Sequence, residues 1–161
     1  MDTDTVPDIT LQNAIEKVIH NLTGISTLYP SQLELLRCLV DNRNIFLTSP
    51  TNSGKTLPAV ILPRVFDELN AMGYSKFPKN SRVLFLTALN SIQLSLLSGT
   101  ENLGIKCDAV NSSNIEKVLQ SDASVIFIGP EILQLPKVTR ALLKWKKTFI
   151  LKVVDEVHLC K

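Results

Sequence analysis

The chain has 161 residues, 45% of them hydrophobic and 20% charged, with a formal net charge of +2. That fits an ordinary soluble globular protein with a real core, and the charge is too small to argue for a nucleic-acid partner by itself. Three scattered cysteines, Cys38, Cys107 and Cys160, with only His20 and His158 to assist them, argue against a disulfide framework or a structural zinc site.

The chain opens on an acidic, polar stretch without a signal pattern, and no apolar run approaches the ~20 residues that cross a bilayer. The expectation is an intracellular protein without a membrane partner, nuclear rather than cytoplasmic. Residues 1–8 read as a flexible tail and 9–161 as one domain. Leu11, Ile15, Val18, Ile19 and Leu22 recur at helical spacing in a helix opening near Asp8, which Gly24 stops. A second helix starts in Tyr29-Pro30-Ser31-Gln32, with Pro30 or Ser31 capping or beginning it, and runs to about Val40. Leu33, Leu36, Leu39 and Val40 are expected on its inner side.

A short apolar run, 44–48, leads into the polar octet Ser49-Pro50-Thr51-Asn52-Ser53-Gly54-Lys55-Thr56, and a helix over 57–69 leads out. Pro58 is harmless in a first turn, whereas Pro63 should kink or end that helix. A loop, 73–80, precedes an apolar run over 82–87 of the kind a buried parallel strand shows. Then come a helix over 91–103, a short strand over 105–110, and a brief helix to Gln120 with Ser113 as N-cap and Glu116 three residues on. A buried strand over 124–128 ends in Gly129-Pro130-Glu131. A helix over 138–146 and a strand over 148–154 finish the pattern. Alternating strands and helices predict right-handed crossovers and a mainly parallel sheet with helices on both faces. Ligands of such sheets bind beyond the carboxyl ends of the strands. Four polar clusters, 48–56, 87–91, 129–131 and 155–158, each follow directly on a predicted strand.

The octet has the strand, tight loop and helix start that a phosphate-binding loop needs. Its backbone N–H groups would face phosphate oxygens at the positive end of the helix dipole. Lys55 would reach the outer phosphates and the Thr56 hydroxyl would take a Mg²⁺ position. Asn52 stands where many such loops carry glycine, and asparagine tolerates positive φ. The strand over 148–154 ends in Asp155-Glu156-Val157-His158. Asp155 offers Mg²⁺ a hard oxygen ligand, and Glu156 can orient and deprotonate an attacking water.

Asp155-Glu156-Val157-His158 resembles the D-E-x-H box of superfamily 2 helicases, and the octet resembles their motif I. Phe127-Ile128-Gly129-Pro130-Glu131-Ile132-Leu133 is similar to the A-P-E-x-L motif of RecQ-type helicases, and Gln32 falls where these proteins carry an adenine-reading glutamine. The resemblance covers about residues 9–161 and implies the first RecA-like lobe, a P-loop NTPase fold incomplete at its C-terminus. It implies ATP and Mg²⁺ as cofactors, with Lys55 and Glu156 catalytic. Tyr29, Gln32, Ser49, Thr51, Asn52, Ser53, Gly54, Lys55, Thr56, Asp155 and His158 would surround the nucleotide, His158 coupling it to the nucleic acid. Thr87, Asn90, Ser91, Gly129, Pro130 and Glu131 would follow the phosphate backbone of one strand.

The partners so implied are single-stranded or forked DNA, with RNA possible, and a second RecA-like lobe that supplies the arginine finger from outside these 161 residues. The full reaction would be ATP hydrolysis driving 3′-to-5′ DNA unwinding, and little turnover is expected of this chain alone. Three departures stand out. Tyr29 replaces an arginine, Asn52 replaces a glycine, and the 87–91 segment lacks the family's serine-proline start. A lobe of a Ski-type or DEAD-box RNA helicase is the alternative enzyme, and a truncated ATP- or nucleic-acid-binding module the non-enzyme alternative. Lys144-Trp145-Lys146-Lys147 looks like a basic–aromatic nucleic-acid contact, but cations at a helix C-terminus with Trp145 packed inward explain it and are favoured.

Overall fold

The computed structural model describes residues 5–41, 56–87 and 90–154. The chain divides into two units, Met1–Lys79 and Asn80–Lys161. In the first, helix α1 (Asp8–His20) buries Leu11, Ala14, Ile15, Val18 and Ile19 as a single stripe, the spacing an amphipathic helix requires. Order begins upstream of the expected tail's end: Val6 is buried, and its carbonyl accepts a bond from Arg37 Nη1 at 2.6 Å. Arg37 also grips both carboxylate oxygens of Asp41, at 3.1 and 3.0 Å. One guanidinium therefore ties the segment before α1 to the end of helix α2 (Pro30–Val40).

Gln32, Leu36 and Val40 form the buried line of α2. Leu33, expected inside, is 39% exposed, because it lies about 100° round the helix from that line. Helix α3 (Thr56–Ala71) runs on through Pro63, which was expected to kink or end it, so the helix does not end there. Pro63 forfeits one helical hydrogen bond. Burial offsets the loss: every residue from Pro58 to Pro63 is buried, as are Val65, Phe66 and Leu69, and both α1 and α2 pack on this helix. The helix stops at Gly73, whose φ of +106° only glycine adopts easily. Gly73 N–H bonds the Asn70 carbonyl and Tyr74 N–H bonds the Leu69 carbonyl, both at 3.0 Å, which closes a Schellman cap.

Among the described residues, the second unit is built on a four-stranded, all-parallel sheet in the order β2-β3-β1-β4, and the run 44–48 lies outside them. Its strands are β1 (Arg82–Leu86), β2 (Cys107–Ala109), β3 (Val125–Ile128) and β4 (Phe149–Val154). Helices α4 (Asn90–Asn102), α5 (Ile115–Gln120), α6 (Pro130–Leu133) and α7 (Pro136–Lys144) make the connections, followed by a 3-10 turn, Lys146–Thr148. All of β3 and residues 82–85 of β1 are buried, as expected of parallel strands covered on both faces. Leu84, Ile126 and Ile128 pack with Ile115, Val118, Leu119, Val138 and Ala141. Phe85 and Phe127, paired across β1 and β3, bring their ring centroids within 5.4 Å.

Asn114, not Ser113, occupies the N-cap of α5. Asn111 Oδ1 accepts bonds from the Ser113 N–H and hydroxyl and from the Asn114 N–H, so an asparagine turn captures the groups a serine cap would have used.

Candidate functional site at the carboxyl edge of the sheet

The register decides which residues leave the sheet together. Leu86 of β1 lies opposite Ile128 of β3 and Val154 of β4. Thr87 and Gly129 therefore emerge side by side, the Thr87 N–H donating to the Ile128 carbonyl at 3.0 Å. β4 ends at Val154, in line with them. Asp155, Glu156 and His158 lie outside the described residues.

Thr87 is 1% exposed, and its hydroxyl accepts a bond from Gln93 Nε2 at 3.3 Å. It pins the edge of β1 to α4, and its side chain does not face solvent. Nothing in the sequence marks Gln93, a lone glutamine inside a helical segment, for this contact. Asn90 and Ser91 open α4, and their side chains lie outside the described residues. Gly129 is extended, at φ −86° and ψ 157°, and is half-buried at the N-cap of α6. Its carbonyl accepts the Leu133 N–H at 3.0 Å. Pro130 takes the first helical position, where its missing N–H costs nothing, and Glu131 is exposed in the first turn. Among the described residues a Cβ at Gly129 would meet the Thr87 carbonyl, at 3.7 Å, an ordinary contact.

Of the residues expected around a nucleotide, Thr56 is the first residue of α3 and half-buried. Ser49, Thr51, Asn52, Ser53, Gly54 and Lys55 lie outside the described residues. Gln32 is 6% exposed, and its Oε1 accepts the Tyr29 N–H at 2.8 Å, half of a capping box that fixes the start of α2. Tyr29 is its exposed neighbour. Leu28 and Leu33, which bracket this turn, line a cavity of about 540 Å³ with Ile15, Ile19, Gln12 and His20. Neither Tyr29 nor Gln32 is in its wall.

The amino edge of the sheet holds different chemistry. Arg82 is buried, its Nη2 bonds the Ser121 carbonyl at 2.7 Å, and its guanidinium lies 5.7 Å from the Trp145 ring centre. Burial pushes its pKa down, and Nη1 and Trp145 Nε1 are buried without hydrogen-bond partners among the described residues. Trp145 thus packs inward, as expected. Cys107, half-buried with its thiol 3.4 Å from the Leu97 carbonyl, has its pKa pushed up to about 12, chiefly by burial and then by Glu101 and Asp108. It is a protonated, unreactive thiol at neutral pH. Exposed Lys106 and Asp122 are paired, and the hydrogen bond from Lys106 holds the Asp122 carboxyl below its usual range.

No protein-family model matches the chain. Among the described residues, no helix is long and apolar enough to cross a membrane.

Proposed function

We propose that this chain is an ATP- and nucleic-acid-binding lobe of a RecQ-like 3′-to-5′ DNA helicase, built on a RecA-like fold. The observation that carries the reading is the carboxyl edge of the parallel sheet. Thr87, Gly129 and the last residue of β4 share that edge, immediately ahead of Asp155-Glu156-Val157-His158 in the sequence. Such edges are where ligands of parallel α/β sheets bind. The start of α3 at Thr56 supports the reading separately, since the N-terminus of a sixteen-residue helix follows Ser49-to-Lys55 directly in the sequence.

In this reading Lys55 binds the outer phosphates and Gln32, with Tyr29, meets the adenine. The Thr56 hydroxyl and Asp155 carboxylate are hard oxygen donors that suit Mg²⁺, and the half-buried first position of α3 suits a hydroxyl in that role. When bound, Mg²⁺ neutralises charge on the phosphates. Glu156 positions and deprotonates water, and His158 links this chemistry to the strand of DNA. Gly129 fits a strand contact because its backbone carries no side chain over a half-buried edge, whereas buried Thr87 acts by holding that edge in place.

The test is binding of a fluorescent ATP analogue with Mg²⁺. The parent chain should bind it, Lys55→Ala should lose at least about tenfold in affinity, and Glu156→Gln should retain binding while losing any turnover stimulated by single-stranded DNA. No nucleotide binding by the parent, or no effect of Lys55→Ala, would overturn the assignment.

A further inference from the structure

We propose that α7 and the turn after it form a docking surface for a nucleic-acid phosphate backbone, separate from the carboxyl edge. Charge is segregated along this chain. Of 17 Lys and Arg against 15 Asp and Glu, six of the cations and none of the acids fall in residues 132–154. The rest therefore carries eleven cations against fifteen acids, and the small net charge conceals a basic face.

Geometry gathers that charge. Lys137, Arg140 and Lys144 stand three and four residues apart on α7, hence on one face, and all three are exposed. Exposed Lys146 and Lys147 extend the row through the 3-10 turn. Arg140 is steadied by a bond from its Nε to the Pro136 carbonyl at 3.3 Å. None of the five is in an ion pair among the described residues. Glu116 and Lys117 are the charged groups of α5, which packs on α7.

Helix stabilisation does not account for this arrangement. The dipole welcomes Lys144 in the last turn, but Lys137 sits in the first turn, against it, and like charges three and four residues apart repel. A solvated face would mix signs. This one holds repulsion that a polyanion relieves. From Lys137 to Lys144 the helix rises about 10 Å, the axial rise of about three phosphates along one strand.

A membrane surface fits less well. The apolar side of α7, with Val138, Ala141, Leu142 and Trp145, is already packed in the core, leaving exposed Leu143 and Leu135 alone to insert. With Trp145 turned inward, the surface grips phosphates and has no ring to stack on bases, so it binds without reading sequence. The inference rests on the nucleic-acid half of the function proposed above.

Fluorescence anisotropy with a labelled single-stranded oligonucleotide, over a salt series, tests it. Lys137→Glu/Lys144→Glu should weaken binding about tenfold and make the log–log salt slope shallower by about 1.4. Lys17→Glu/Lys79→Glu, with the same change in net charge, should do neither. Lys137→Glu alone should raise the melting temperature while weakening DNA binding, a combination that damage to the fold does not produce. No DNA binding by the parent chain overturns the proposal, as does an unchanged slope in the double variant. So does a loss confined to vesicles containing phosphatidylserine. ATP-analogue binding measured alongside keeps the two proposals apart, because neither lysine touches the Lys55 segment in sequence and Lys55→Ala leaves α7 unaltered.

Discussion

Arg82 offers a test of how the sheet's amino edge is held. Its guanidinium is buried with one carbonyl bond, at 2.7 Å, one aromatic face at 5.7 Å, and an Nη1 group without a partner among the described residues. Arg82→Met keeps the apolar stem and removes the charge. The loss is a charge-assisted hydrogen bond of about 2 kcal/mol and a cation–π contact of about 1 kcal/mol. The gain is release from stranding a desolvated cation and its free N–H groups, a penalty of several kcal/mol. The two nearly cancel, so the Met variant should fall within about 1 kcal/mol of the parent. Arg82→Ala gains the same release but empties the space of a buried stem, and should lie about 2–3 kcal/mol below Met. Urea unfolding at pH 7, comparing midpoints at constant m, measures both. A Met variant as unstable as Ala would refute the reasoning, because it would mean that Nη1 has an acceptor in solution whose loss both variants share.

Gly129→Ala should leave stability within about 1 kcal/mol, since its φ of −86° suits alanine and the new Cβ makes an ordinary 3.7 Å contact. A selective fall in single-strand affinity would then identify close approach of a ligand to that backbone, whereas an equal fall in thermal stability would remove Gly129 from the site. Cys107 should resist iodoacetamide at pH 8 at least about tenfold more than a free thiol, read by mass mapping, because burial keeps it protonated. The folded state holds that proton more tightly than the unfolded state, so the Cys107 contribution is complete below pH 9.0 and is lost as pH rises toward 12. Alkaline unfolding should therefore be delayed in Cys107→Ala relative to its own stability at pH 7. Identical pH profiles for the two proteins would sink the assignment.

β1 and β3 were legible because burial on both faces removes alternation, so the apolar runs at 82–86 and 125–128 can belong to little else, while β4 showed as a short β-branched and apolar run at 149–154 interrupted only by exposed Lys152. Their order, β2-β3-β1-β4, was not, since pairing joins residues far apart in sequence and leaves no local mark. Local rules failed where a longer-range term outweighed them. Pro63 should kink or end a helix, and α3 does not end there because the burial of its flanks outweighs one missing hydrogen bond. Ser113 should cap, and Asn111 two residues earlier takes its N–H and hydroxyl first. Leu33 should be inside, and an α2 line set by Gln32, Leu36 and Val40 turns it outward.

The same division explains the site. Position after a strand is a local property, so Thr87 and Gly129 could be assigned to one edge before any pairing was known, and the register then sets them side by side. Exposure is a property of the packed molecule. Thr87, polar and terminal, looked like a contact residue, yet Gln93 reaches back from α4 and engages its hydroxyl. Trp145 was expected to pack inward, and the Arg82 guanidinium and the core hold it there. What remains outside on α7 is mainly charge, with Leu143 and no aromatic ring, and charge without aromatic rings fits a backbone and not a base. Helix position sharpens the point. A cation in the last turn is explained by the helix itself, but Lys137 in the first turn is not, so it is the residue whose substitution separates the needs of the fold from those of a ligand.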